Sequence, residues 1–331
     1  MAPQTKRSIP FDSRFPSPPA SPRQMLKIEK LVKVYPGPVA ALQGLDLEVQ
    51  EGMFGLLGPN GAGKSTLMKI LAGLLEPTSG SVSLDGVNVV AEPEKVWSRL
   101  GYLPQDFGFY PHMTGRAMLK HLLKLKGVKA SGGGNALVDE LLERVNLTFA
   151  AKRRVKDYSG GMRQRLGVAQ ALAGDPRLII VDEPTAGLDP EERLRFYHLL
   201  SELAENRVVL LSTHIVEDVS VLCPRFAVIR AGRLVARTTP AAASASLAGK
   251  VFEGHVERSQ LQALEEEVTV LQAMLFGGLN RVRIYAENGV APPGFESVQP
   301  TLEDAYLALM RSDDGLLSNT GLVGREQEAS A

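Results

Sequence analysis

With one cysteine, Cys223, in 331 residues, the chain can form no internal disulfide, which fits a reducing compartment. It has no surplus of charge either. Thirty-seven Lys and Arg balance 37 Asp and Glu, so nothing advertises a nucleic-acid-binding protein. Nor is there a long apolar run. The longest, such as Leu178–Val181 and Val208–Leu211, are strand-sized, far short of the roughly 20 residues that cross a bilayer. Residues 1–24 are rich in Pro and Ser and lack the apolar stretch of about 7 to 15 residues that a secretory signal needs. They read as a disordered tail, as does the polar stretch 312–331, and cytoplasm is the expected location.

What is present belongs to an ordinary globular protein, 44% hydrophobic and 22% charged, long enough for one large domain and a small second one. From Leu26 the chain alternates, LKIEKLVKVY and then LQGLDLEV, as half-exposed antiparallel strands do. FGLLG at 54–58 is a buried strand, and STLMKILAGLL after it has helical spacing. Arg116–Lys126 and Ala136–Val145 are predicted helices separated by SGGG at 131–134, which marks a helical insertion at about 110–158. The segments LIIVDE and VVLLST alternate with helical stretches, a pattern that implies a parallel sheet covered on both faces. FAVIRAGRLVA is a hairpin turning at Ala-Gly, TTPAAASASLAG a linker, and 250–311 a small α/β piece closed by the helix TLEDAYLALM. Trp97 and Cys223 read as packing residues, and His112, His121, His198 and His255 match no motif.

Gly58-Pro59-Asn60-Gly61-Ala62-Gly63-Lys64-Ser65 matches G-x-x-x-x-G-K-[ST] and lies between a predicted buried strand and a helix start. Glycines there let backbone N–H groups converge on phosphate oxygens, and the helix N-terminus adds favourable partial charge. Lys64 is placed to reach the β- and γ-phosphates of ATP, and Ser65, followed by Thr66, to ligate Mg²⁺. Asp182 and Glu183 end an apolar strand, the sheet edge where open α/β folds bind ligands. Asp182 is expected to hold Mg²⁺, and Glu183 to act as general base or to orient the attacking water.

With these segments in order, the sequence resembles the ATP-binding cassette (ABC) family of ATPases over about residues 26–238. The family signature, usually LSGGQ, appears as Tyr158-Ser159-Gly160-Gly161-Met162, with Met162 departing from the usual glutamine. The resemblance implies that Ser159, Gly160 and Gly161 bind the γ-phosphate of ATP held by a second copy, in a head-to-tail dimer. It also implies that Gln105 contacts Mg²⁺ and the attacking water, and that His214 holds Glu183 and the water in place. Ala186-Gly187-Leu188-Asp189 looks like the loop that crosses the dimer interface, although Asp189-Pro190 is equally a helix start. Tyr35 lies where the family places an aromatic that stacks on adenine, but a tyrosine ending a strand is as often core. The implied layout is an ABC ATPase domain at 25–238, with an antiparallel β subdomain, a parallel-sheet core and the helical insertion, followed by a small C-terminal α/β domain at 239–311.

The same resemblance implies a membrane-spanning permease subunit and a second ABC ATPase subunit as partners, with no nucleic acid, on the inner face of the cell membrane. YLPQDFGFYPHMT, the TLEDAYLALM ending and the single cassette look like the ABC-2 type of bacterial transporters, commonly exporters. Phe107, Phe109 and Tyr110 either dock the membrane subunit or pack inside the helical insertion. A ribosome-associated ABC factor would carry two cassettes and a basic linker, a DNA-repair ATPase a long coiled coil between its halves, and a P-loop kinase would need neither Ser159-Gly160-Gly161 nor His214.

Overall fold

A computed structural model describes residues 26–37, 39–106, 108–128 and 134–311. The expectations for 1–24, 312–331 and Phe107 lie outside these residues, as does 131–133 of the glycine-rich segment. In chain order, β1 (Leu26–Tyr35) and β2 (Val39–Val49) form a hairpin, and β3 (Gly52–Leu57) runs into α1 (Lys64–Leu71). Then come β4 (Ser79–Leu84), β5 (Val87–Asn88), α2 (Pro93–Trp97) and β6 (Leu100–Leu103). Three helices follow, α3 (Gly115–Leu125), α4 (Gly134–Arg144) and α5 (Gly160–Leu172). The chain resumes with β7 (Leu178–Asp182), α6 (Pro190–Leu203), β8 (Val208–Thr213), α7 (Val216–Leu222), β9 (Arg225–Arg230) and β10 (Arg233–Thr238). It ends with α8 (Pro240–Ala245), β11 (Val251–Val256), α9 (Leu261–Glu267), β12 (Thr269–Phe276), β13 (Leu279–Tyr285), β14 (Phe295–Ser297) and α10 (Leu302–Arg311).

The central sheet has the order β10-β9-β3-β8-β7-β6, parallel except for β10, which pairs antiparallel with β9. Every residue of β7 and β8 is buried, because alternate side chains meet two different cores. Phe54, Leu56, Ile180 and Leu210 face one core with α1 and the antiparallel sheet β2-β1-β4-β5. Leu57, Val181, Leu211 and Phe226 face the other with α5, α6, α7 and α10. A strand covered on both faces has no polar side, which is why these segments read as unbroken apolar runs. Burying a side chain such as Phe54 or Phe226, each 1% exposed, is worth about 1.5–3 kcal/mol. At the β9–β10 turn Ala231 and Gly232 both have positive φ, 47° and 76°, the backbone of a tight hairpin. The Gly232 N–H donates to Ala62 O at 2.9 Å, so this hairpin abuts the loop that follows β3.

Three expectations are corrected. The alanine-rich segment after residue 238 is not a linker: Thr239 caps α8 by accepting from Ala242 N at 3.1 Å, and Ala243 and Leu247 are fully buried. Small residues fit close to neighbouring elements, and Ala is the strongest helix former. Trp97 is 48% exposed rather than packed inside. The third sheet, β12-β13-β11-β14, holds two strands, β12 and β14, that were not anticipated. Half of β12 is exposed on both faces, so it shows no alternation to read.

α10 packs between α7 and α8, and its Leu302, Ala305, Ala308 and Leu309 join the core that contains Val219 and Leu222 of α7. Arg230 of β9 donates to Leu309 O at 2.9 Å at the C-terminal end of α10, where orphan carbonyls favour a cation.

Candidate functional site

The loop 58–63 packs closely on the backbone of β2 and β9. A Cβ at Gly58 would lie 2.3 Å from Ile229 O, and one at Gly63, whose φ is 105°, 2.4 Å from Ala41 O. Asn60 and Gly61 are exposed, Ala62 is buried, and Ser65 and Thr66 are half-buried in the first turn of α1. Lys64, 4% exposed, donates to Gly58 O at 2.7 Å and Pro59 O at 3.2 Å, so its ammonium is held under the loop. Tyr35 brings its hydroxyl to 3.4 Å from Thr66 Oγ1, while Lys33 Nζ lies 5.4 Å from the Tyr35 ring. Tyr35 is thus a half-buried ring near Thr66 rather than a core residue.

Asp182 and Glu183 leave β7 beside this loop. Glu183 has φ 47°, unusual for a residue other than Gly, Asn or Asp, and its N–H donates to Ser212 O at 2.8 Å. That backbone breaks the strand alternation, so successive carboxylates can serve one site. The Glu183 side chain is 8% exposed and gathers three groups: Lys64 Nζ at 3.4 Å, Gln105 Nε2 at 3.3 Å and His214 Nδ1 at 3.2 Å. These come from α1, from the loop after β6 and from the loop after β8, all at the same sheet edge.

Asp182 is 2% exposed, and burial raises its carboxyl pKa above the ordinary value. Its Oδ1 and the Ser212 hydroxyl make no hydrogen bond among the described residues. A buried carboxylate oxygen left without a donor is costly and calls for a partner that the described residues do not supply.

The glycine signature stands elsewhere. Ser159 caps α5 by accepting from Met162 N at 3.1 Å, Gly160 is open, and a Cβ on Gly161 would meet Glu192 Oε2 at 2.3 Å. Asp189 caps α6, accepting from Glu192 N at 2.9 Å. Arg165 of α5 pairs with Glu192 at 3.3 Å, tying these two helices together. Among the described residues no hydrogen bond or ion pair joins Ser159, Gly160, Gly161 or Asp189 to residues 58–66. Phe109 packs against the core, whereas Tyr110 is 59% exposed and meets the His121 ring edge-on.

The match to known proteins follows this layout. Residues 42–186 match the family model described as ABC transporter. Over 218 residues the chain is 42% identical to an uncharacterized ABC transporter ATP-binding protein, YdbJ, of Bacillus subtilis (strain 168), covering 65% of this chain and 69% of that one. The chain belongs to the family of ABC transporter ATP-binding proteins. It is also 42% identical over 201 residues to the Nod factor export ATP-binding protein I of Burkholderia pseudomallei (strain 1710b), covering 60% of this chain and 66% of that one. The fold matches the dimeric post-hydrolysis state of the ATP-binding cassette MJ0796 bound to ADP and Pi, with TM-score 0.59 and 27% identity, over 65% of this chain and 98% of that one. This ABC protein therefore has the P-loop ABC ATPase fold, binds ATP, hydrolyses it, and is an ATP-binding subunit of an ABC transporter. Among the described residues no helix is long and apolar enough to cross a membrane.

The sequence pointed to Lys64, Gln105 and His214, whose side chains meet Glu183, but not to Thr185, Tyr197, Thr213 and Asp218, which form a buried hydrogen-bonded cluster. An aspartate in the first turn of α7 looks like any helix-start acid, and only the fold shows its burial.

Proposed function

We propose that this protein is the motor of an exporter of the ABC-2 type, driving a separate membrane-spanning subunit from the inner face of the cell membrane. The convergence of Lys64, Gln105 and His214 on Glu183 carries the motor part of this reading, the hydrolysis of ATP. The backbone of 58–63 with Lys64 holds the β- and γ-phosphates, and Tyr35 stacks on adenine. Glu183 takes a proton from the attacking water, which Gln105 and His214 orient. Mg²⁺ would be held by Ser65, Gln105 and, through its water shell, Asp182, and would neutralise charge on the phosphate oxygens. The unpartnered Asp182 Oδ1 beside Ser65 fits that ion. Ser159, Gly160 and Gly161 complete the site of a second copy, with Asp189 near the shared face. The open approach to Gly160 supports this, as no neighbour would meet even an added Cβ there.

Export is supported by the similarity to the Nod factor export protein, and exposed Tyr110, five residues after Gln105 in the chain, offers an apolar contact to the membrane subunit. The test is to trap ATP with Glu183→Gln, purify in mild detergent and identify what accompanies the protein. A polytopic membrane protein with a second copy of the chain is the expected result. Ribosomal or DNA-bound proteins with no membrane subunit would contradict the transporter assignment.

A further inference from the structure

Asp218 lies four positions after His214, and its side chain is fully buried. It makes no ion pair among the described residues. Its carboxylate instead accepts three hydroxyls from three segments. Oδ2 takes Thr185 at 2.6 Å and Thr213 at 2.8 Å, and Oδ1 takes Tyr197 of α6 at 2.5 Å. Thr185 comes two residues after Glu183, and Thr213 immediately before His214. The Thr213 hydroxyl also accepts from Ile215 N at 3.0 Å, so its proton is committed to Asp218 and the bend on either side of His214 is set. A buried carboxylate without a counter-ion is costly, and an apolar residue could fill the same space with less penalty. What the carboxylate uniquely supplies is acceptor capacity for three donors at once.

We infer that Asp218 is a positioning residue for ATP hydrolysis: it joins the segment carrying His214 to the segment carrying Glu183 and so sets the imidazole against the carboxylate. The inference rests on the roles proposed for those two residues. It gives Asp218 no contact with nucleotide, so its effect should fall on turnover and not on binding.

A kinetic double-mutant cycle tests this. Asp218→Asn keeps the shape but presents one acceptor oxygen in place of two. It should lower kcat per ATP-binding site, with sites counted by ATP titration, about tenfold while KM for ATP stays within about twofold; general loss of folded protein instead lowers the number of sites and leaves turnover per site unchanged. Placed on His214→Ala, the same change should cost less than about twofold more, because the group it positions is gone. A full tenfold loss on that background, or a raised KM with kcat intact, would overturn the inference. If His214→Ala alone turned over at the wild-type rate, the role of His214 would fail first, and the inference with it. Should Asp218→Asn not fold, Tyr197→Phe removes one donor only and should lower kcat about threefold at unchanged ATP affinity; unchanged kcat there would also overturn the inference.

Discussion

Two aspartates, one at the nucleotide edge of the central sheet and one in the C-terminal four-stranded sheet region, are buried to the same degree and surrounded in opposite ways. Asp182 is 2% exposed and Asp304 is 1% exposed. Asp304 accepts from Arg283 Nε at 3.0 Å and Nη2 at 2.7 Å, and from the N–H and hydroxyl of Thr301, both at 2.8 Å. Among the described residues Asp182 Oδ1 makes no hydrogen bond. Where the chain completes the solvation of a buried charge by itself, the charge fastens elements together. Where it leaves that solvation incomplete, as beside the loop 58–66, it has kept a place for something else.

The largest effect on stability should come from the completed one. Asp304→Ala leaves Arg283 half-buried with only Glu253 and a carbonyl to bind, and should cost about 3 kcal/mol in denaturant unfolding. Its kcat per folded molecule should stay close to wild type, since the partners of Asp304, Arg283 and Thr301, are not among the side chains that meet Glu183. A variant equal in stability to wild type would break the comparison from that side.

Asp182→Asn should behave inversely. Because the folded-state pKa of Asp182 lies above its ordinary value, the folded protein holds that proton more tightly than the unfolded chain. The associated stability is present at low pH and lost as pH rises through the folded pKa, so at neutral pH the charge is a burden. Removing it should leave the nucleotide-free protein as stable as wild type or more so, by up to about 1 kcal/mol, while Mg²⁺-dependent turnover falls about 100-fold. In the wild type the same shift means that Mg²⁺-dependent ATP binding should begin to weaken, on acidification, at a higher pH than an ordinary carboxylate would allow. Unfolding curves with and without Mg-ATP, taken across pH, check both statements.

The two regions also differed in how far they could be read beforehand. The loop 58–65 is local: its glycines, its lysine and the strand before it are contiguous, so spacing alone locates it. Asp182 and Glu183 were visible because an unbroken apolar run must be a doubly covered strand and its end must lie at the sheet edge. Strand and helix alternation is a sequence property, and the parallel core followed from it. α8 and β12 were not legible, since the first has small residues that could be either helix or linker and the second lacks a buried face along half its length. The Asp218 cluster gathers Thr185, Tyr197 and Thr213 across up to 33 residues of sequence separation, and no short pattern encodes such a meeting. The positive φ of Glu183 was likewise invisible, because the residue carries none of the Gly or Asn preference that usually marks that conformation.

The central claim is that Glu183 performs the proton chemistry while Lys64 and the loop before it hold the nucleotide. It is tested most directly by measuring ATP turnover and ATP affinity side by side for Glu183→Gln, with Lys64→Ala as the variant expected to lose binding. The account predicts turnover at least about 100-fold below wild type with affinity within about threefold. Wild-type turnover in Glu183→Gln would contradict it.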